Sequence, residues 1–355
     1  MIVFDNIVFT TQKSGGISVV WYELLHRILQ DRKKVLFIES KNVSDNIFRK
    51  KINIHPESII LRRENRFSRH SDVKLAYNEK FIFHSSYYRV CSNRNAINIT
   101  TVHDFTYEYY RSGIAKFLHN KKKIHAIKKS DFIICISENT RLDLLRFIPD
   151  IDPKKIRVIY NGVSESFFPV DLIDNPPPFD PLSFVLFVGG RNGYKNFHLA
   201  VEALKNTDFK LVIVGSKLND KEILFLNKEI GCENYVNLVH ISNEHLNALY
   251  NTAYCLLYPS LYEGFGIPVV EAQKAGCPVI AYKGSSIPEI IGETPLLFSN
   301  SNKDEIQECL KMLTNKELRD KIIQNGKENA IRFSWDKMYK DIINLYQEAL
   351  TLNKS

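Results

Sequence analysis

Short unbroken apolar runs alternate along this chain with longer stretches whose apolar residues recur every three to four positions. In the first half the runs predict strands at Ile2–Phe9, Val35–Glu39, Ser58–Leu61, Phe81–His84, Ile97–His103, Phe132–Ser137 and Ile156–Tyr160. In the second half they predict strands at Phe184–Val188, Lys210–Val214, Val236–Ile241, Cys255–Tyr258, Val279–Tyr282 and Leu296–Phe298. Many runs are continuously β-branched or aromatic, as parallel strands covered on both faces require. Strands alternating with helical stretches define doubly wound α/β sheets, and two such sets predict two Rossmann-like domains. Phe168–Pro181 interrupts the pattern, because its triple proline continues neither a helix nor a central strand. The domains are therefore placed at 1–168 and 182–335, with 169–181 as the linker. In Ser334–Leu350 the residues Trp335, Met338, Ile342, Leu345, Tyr346 and Ala349 recur at helical spacing, a stripe that one of the domains must bury.

A length of 355 residues fits two domains of ordinary size. With 44% apolar and 25% charged residues, collagen-like, disordered and membrane-spanning chains are excluded. No run approaches the ~18 apolar residues of a membrane span, and the first residues lack the features of a signal peptide. The six cysteines form no CxxC pair, and several sit inside apolar runs, a usage that fits a reducing cytosol. Charge is uneven. Residues 1–170 carry 29 Lys and Arg against 17 Asp and Glu, a net of +12, and the rest carry 19 against 23, a net of −4. The basic half points to a polyanion or an anionic membrane surface as its partner.

Tyr258–Ala281, YPSLYEGFGIPVVEAQKAGCPVIA, concentrates the chemistry. A strand ends at Tyr258, and Gly264 and Gly266 flank Phe265 so that the backbone can approach a ligand closely. Pro268 suits a first helical turn and Gly276 a helix end. Amides delivered into a helix start make an anion site, and Glu263 and Glu271 bracket them. An isolated E-x₇-E is most often a surface turn with a solvated carboxylate; within this whole string that reading fails. Arg191 and Lys195 follow the strand Phe184–Val188 and a Gly189-Gly190 pair, where loop cations face ligands at the carboxyl edge of a sheet. Asp150 and Asp152 spell DxD, but they precede Pro153 in a turn, where Asp is favoured for local hydrogen bonds, and they are discounted as metal ligands.

The string Pro259–Ala272 resembles the signature of the family 4 retaining glycosyltransferases, which have the GT-B fold. The resemblance continues in Ser14–Ile17, Val102–Asp104, Ile136–Leu145, Asn161–Val163, Val188–Asn196 and Ser285–Gly292. Within the family it is similar to mannosyl- and rhamnosyltransferases of bacterial surface polysaccharides. The resemblance implies two Rossmann-like domains facing a central cleft, with acceptor on the first and nucleotide sugar on the second. It also implies a C-terminal helix, 336–355, that packs back on the first domain. Arg191, Lys195, Glu263 and His103 are its implied catalytic residues. The implied donor-binding residues are Gly16, Gly190, Gly264, Phe265, Gly266 and Glu271, and the acceptor-binding ones Gly15, Asp104 and Tyr107. Glu271 resembles the carboxylate on the nucleotide ribose and Glu263 the one near the transferred sugar. His103 would lie near that sugar's hydroxyls and need not be a base; read alone, His103 and Asp104 are a structural imidazole and a helix cap.

The expected reaction is transfer of a hexose, mannose from GDP-mannose foremost, to a growing polysaccharide or lipid-linked glycan, with no metal and no other cofactor. A UDP- or dTDP-sugar donor (rhamnose included), a nucleotide-sugar epimerase and a non-catalytic polyanion binder are the alternatives. No nucleic acid is expected as a partner. The expected location is the cytoplasm, peripheral on the inner face of the plasma membrane. Arg49-Lys50-Lys51, Arg62-Arg63, Lys121–Lys123 and Lys128-Lys129 are the basic clusters, and Ile114, Phe117, Leu118, Ile124 and Ile127 form an apolar face beside the last of them. For that helix itself the expectation is an ordinary domain helix, with its stripe in the core and its lysines in water.

Overall fold

A computed structural model describes residues 1–40, 43–62, 71–170, 176–191 and 193–352. The chain forms two compact units, Met1–Gly162 with Trp335–Ser355, and Val163–Ser334. Seven strands build the first: β1 Ile2–Asp5, β2 Val35–Ser40, β3 Ile59–Arg62, β4 Phe81–Ser85, β5 Ala96–Val102, β6 Phe132–Cys135 and β7 Ile156–Val158. Every pairing is parallel, in the order β3-β2-β1-β4-β5-β6-β7. The second unit has six: β8 Phe184–Val188, β9 Lys210–Val214, β10 Tyr235–Leu238, β11 Cys255–Tyr258, β12 Val279–Tyr282 and β13 Leu297–Phe298. Their order is β10-β9-β8-β11-β12-β13, again all parallel. Helices on both faces leave β1, β4, β6 and β11 buried along their whole length, the reason their sequences read as unbroken apolar runs.

Three expectations need correction. The run Ile2–Phe9 is strand only to Asp5, and Val8–Thr11 is a helical turn. Ser86 Oγ accepts the Val8 N–H at 2.9 Å, and the Thr10 and Thr11 hydroxyls close on the Ile7 and Val8 carbonyls. The chain also enters the second unit at Gly162–Val163 and not at Phe168. Phe167 packs edge-on against Tyr250, and the Phe168 and Val170 amides donate to Asn247 and Asn251, all on the helix Asn243–Thr252. Residues 171–175 of the expected linker lie outside the described residues, as does Arg63.

The third concerns the helix Gly113–Lys129. Ile127 is buried, but Ile114, Phe117 and Leu118 are 78%, 65% and 51% exposed. Lys123, counted above among surface charges, is fully buried. Its Nζ donates to the Asp104 carbonyl at 2.5 Å, pairs with Glu108 at 3.1 Å and lies 3.4 Å from the Phe105 ring centre. Burial of an ammonium requires partners of this kind.

The helix Trp335–Leu352 belongs to the first unit and buries Trp335, Met338, Tyr339, Ile342, Leu345, Tyr346 and Ala349. Two polar contacts lie at the same face: Tyr346 Oη is 2.5 Å from His84 Nδ1, and Tyr339 donates to Asp31. Among the described residues no helix is long and apolar enough to cross a membrane.

Candidate active site

In the second unit the strand order reverses between β8 and β11, so the chain winds away from that point on both sides. Loops leaving the carboxyl ends of two such strands diverge, and ligands of open α/β sheets bind in the crevice they leave. The loop after β8 begins with Gly189 (φ 122°) and exposed Gly190. It continues through Arg191 and a single turn, Gly193–Lys195, to Asn196. Asn196 adopts a left-handed conformation (φ 55°) that launches the helix Phe197–Leu204, a conformation Asn tolerates well. The loop after β11 runs from Pro259 to Gly266 and enters the helix Ile267–Lys274. Gly266 caps that helix at φ 99°, and a β-carbon there would sit 2.8 Å from Ile287 Cδ1. Only glycine fits both demands.

The two loops are tied across the crevice. Leu261 N–H donates to the Tyr194 carbonyl at 2.8 Å, and Lys195 Nζ lies 2.6 Å from Glu263 Oε1. Lys195 also stands 5.4 Å and 5.8 Å from the ring centres of Tyr194 and Tyr258, within cation–π range. Below, Ser285 accepts the Glu263 N–H at 2.8 Å, and fully buried Ser286 donates to the Glu263 and Phe265 carbonyls. The Phe265 ring packs edge-on against Phe333 inside the unit, so only its backbone is left to face a ligand.

Glu271 lies inside the helix Ile267–Lys274 and accepts a hydrogen bond from Tyr250 Oη at 3.1 Å. Desolvation raises its carboxyl to about 7. Tyr250 is pushed well above its ordinary value by its own burial and by the nearby Glu271 carboxylate. It therefore stays a donor.

Arg191 is engaged away from Lys195. It grips Glu222 with two hydrogen bonds, Nε to Oε1 at 2.7 Å and Nη2 to Oε2 at 3.1 Å, and donates to the Ser216 and Lys217 carbonyls. Asp152 caps the turn beginning at Pro153, and Asp150 pairs with Lys128. Among the described residues no cluster of His, Cys, Asp and Glu is placed to hold a metal ion.

The remaining sequence-derived residues lie in the first unit. Gly16 opens the helix Gly16–Gln30, with Gly15 as its cap. His103 follows β5, nearly buried, and burial lowers its imidazole to about 4, so the ring is neutral. A small cavity of about 20 Å³ brings His103 together with Ile17, His84 and Asn161, room for about one water. Asp104 accepts the Thr106 N–H at 2.9 Å, and Tyr107 stacks on His119 with ring centres 3.9 Å apart.

A carboxyl-edge crevice with a lysine and a glycine-flanked helix start is the arrangement in which open α/β sheets in general hold phosphate-bearing ligands. The chain belongs to the family 4 glycosyltransferases. Residues 14–167 match "Glycosyltransferase Family 4" and residues 172–329 match "Glycosyl transferases group 1". An uncharacterized glycosyltransferase of Methanocaldococcus jannaschii is 30% identical over 236 residues, 63% of this chain and 61% of that protein. O-antigen chain mannosyltransferase B of Escherichia coli is 24% identical over 268 residues, 70% of each. The crystal structure of Anabaena HepE in complex with UDP-glucose superimposes at a TM-score of 0.74 with 13% identity, covering 98% of this chain and 99% of that one. The fold is GT-B.

Sequence reasoning missed four residues: Glu222, Tyr250, Ser285 and Ser286. Ser285 and Ser286 stand within a quoted motif, but their hydrogen bonds to the Glu263–Phe265 backbone cross more than 20 residues. Asn219 and Glu222 spell a capping box, which is present, yet spacing does not reveal the Arg191 bond 31 residues away.

Proposed function

We propose that this chain is a retaining hexosyltransferase moving mannose from GDP-mannose to a growing cell-surface polysaccharide or lipid-linked glycan. The observation that carries this reading is Lys195, held at 2.6 Å from Glu263 where the loops after β8 and β11 meet the helix start at Gly266. As the bond between the sugar's anomeric carbon and the phosphate oxygen breaks, charge grows on the leaving diphosphate. Lys195 and the amides at that helix start neutralise it without a metal ion. Glu271 takes the ribose hydroxyls. The acceptor hydroxyl attacks from the leaving-group side and its proton passes to the departing phosphate, which retains the anomeric configuration. Neutral His103 holds a sugar hydroxyl and moves no proton. Mannose is favoured by the O-antigen mannosyltransferase relative, and UDP- and dTDP-sugars are the alternative donors.

The test is incubation of the full chain with GDP-α-mannose and a lipid-linked glycan acceptor, with products read by proton NMR. An α-mannoside is expected. A β-mannoside would overturn retention, an epimerised or hydrolysed donor without acceptor would install the epimerase, and salt-sensitive binding of acidic glycans with no donor consumed would install the polyanion binder.

The acceptor's lipid also accounts for the exposed face of the helix Gly113–Lys129. Ile114, Phe117 and Leu118 lie at positions i, i+3 and i+4, so they share one face, and Tyr110, Arg111, Lys121 and Lys129 are exposed nearby in the sequence. Apolar side chains flanked by cations match an anionic bilayer surface. Replacing Ile114, Phe117 and Leu118 together by Ser is expected to lower cosedimentation with vesicles containing anionic lipid at least tenfold, since each buried large side chain contributes about 1.5–3 kcal/mol. Unchanged cosedimentation would remove this face from membrane contact.

A further inference from the structure

Arg191 and Lys195 look alike in sequence, two cations on one loop, yet their surroundings differ. Arg191 has five N–H groups. Nε donates to Glu222, Nη2 to Glu222 and to the Lys217 carbonyl, and one hydrogen of Nη1 to the Ser216 carbonyl. Nη2 also lies 3.3 Å from Ser216 Oγ, and among the described residues one N–H, on Nη1, has no acceptor. The side chain is 5% exposed and that of Glu222 is 16% exposed. The Arg191 hydrogen bonds hold the Glu222 carboxyl below its ordinary range, so the pair is ionised and its charges cancel locally. The Lys195–Glu263 pair, 18% and 12% exposed, instead joins the loop after β8 to the loop after β11.

The geometry shows what the Arg191–Glu222 pair joins. Arg191 belongs to the loop after β8, Ser216 and Lys217 to the loop after β9, and Glu222 to the first turn of the helix Asp220–Glu229. Glu222 is already fixed there, because its Oε2 accepts the Asn219 N–H at 2.9 Å while Asn219 Oδ1 accepts the Glu222 N–H. At the same junction the strand ends come close together. A β-carbon on Gly215 would lie 2.5 Å from the Gly189 carbonyl oxygen and 3.5 Å from Arg191 Nη1. One anchored carboxylate thus fixes a guanidinium whose remaining N–H lies beside Gly189 and Gly215, at the carboxyl ends of β8 and β9.

We propose that Glu222 is a positioning residue for the donor: it holds Arg191 as a rivet between the loops after β8 and β9, and so shapes the wall on which the nucleoside diphosphate rests. This rests on the transferase reading above. It divides the work between the two cations. Lys195, whose pair with Glu263 spans the crevice, faces the leaving diphosphate, and Arg191, held by Glu222, supplies a rigid wall. A wall that binds donor and transition state equally alters KM and leaves kcat nearly unchanged.

Glu222→Gln is the informative variant. Gln serves the capping box as Glu does, so the helix start is kept while the charge and the two-point grip on Arg191 are lost. Glu222→Gln is expected to raise the KM for nucleotide sugar and the Kd for nucleoside diphosphate about tenfold, with kcat within about twofold of wild type and a lower melting temperature in a chain still folded by circular dichroism, because a nearly buried guanidinium loses its counter-charge. Arg191→Gln is expected to raise KM and Kd at least as far, since it removes the rivet itself. The double variant is expected to be no worse than the poorer single, because each removes the same rivet. Three results overturn the role: nucleotide affinity unchanged in folded Glu222→Gln, multiplicative losses in the double variant, or a fall in kcat with KM unchanged. If wild type itself binds no nucleoside diphosphate, the transferase reading fails and the positioning role with it; wild-type binding that Glu222→Gln leaves intact overturns the positioning role alone.

Discussion

Lys195→Ala is expected to reduce sugar transfer several hundredfold while the chain stays folded. Lys195 ends the loop after β8, reaches across to Glu263 at 2.6 Å and is the one cation shown to cross that crevice among the described residues. A unit charge ~4 Å from a phosphate oxygen contributes at most ~4 kcal/mol at an effective dielectric near 20. At ~1.4 kcal/mol per tenfold in rate, loss of most of that stabilisation gives the expected factor. The two loops stay tied by the Leu261 N–H to the Tyr194 carbonyl, so the fold should survive. Glu263 keeps its backbone bonds to Ser285 and Ser286. Steady-state kinetics beside circular dichroism checks the result, and full activity in a folded variant would remove Lys195 from the mechanism.

Glu271→Ala is expected to weaken nucleoside diphosphate binding about 100-fold. A carboxylate that accepts from ribose hydroxyls makes charge-assisted bonds, each contributing about 1.5–3 kcal/mol. Calorimetry measures the change directly, and wild-type affinity in the variant would take Glu271 out of the ribose site. The pH dependence is equally specific. The carboxyl is raised from 4.5 to about 7 in the folded chain by desolvation. A raised group adds stability that is fully present below pH 4.5 and is lost as pH rises through about 7. Ligand-free protein should therefore lose stability between pH 4.5 and about 7. Nucleotide affinity should rise over the same interval, because the ribose hydroxyls need the ionised form. Glu271→Gln is expected to flatten both trends, and opposite slopes that persist in the variant would assign them to another group.

Much of the architecture is legible because parallel strands buried on both faces need continuous apolar runs, and those runs are local. The helix Trp335–Leu352 buries every residue of its predicted stripe for the same reason. Where reading failed, a distant partner decided. Ile7, Val8 and Phe9 look like strand, yet a serine 78 residues away from Val8 holds them in a turn. Lys123 looks solvated until Glu108 and the Phe105 ring close over it. The triple proline draws attention to itself, whereas the packing of Phe167 on Tyr250, which moves the unit boundary forward, leaves no local mark.

The candidate site divides in the same way. Gly266 and Pro268 are readable because a left-handed cap and a first helical turn demand those residue types at those positions. Lys195 and Glu263 are each readable as loop residues after a strand. Their pairing across 68 residues follows only from the strand order that sets β8 beside β11. Arg191 shows the limit of that reasoning. Its position after a strand is legible, and the carboxylate that occupies it is not.

Thermal unfolding of the full chain with GDP, UDP, dTDP and ADP, with and without EDTA, tests the central claim most directly. A nucleotide at a hundred times its Kd adds about 2.7 kcal/mol of stability, a shift of several degrees in a protein of this size. The predicted result is a selective shift, largest with GDP and insensitive to EDTA. A shift with UDP alone would move the donor to a UDP-sugar, a shift that EDTA abolishes would contradict metal-free neutralisation by Lys195 and the helix start, and no shift with any nucleotide would contradict the transferase reading itself.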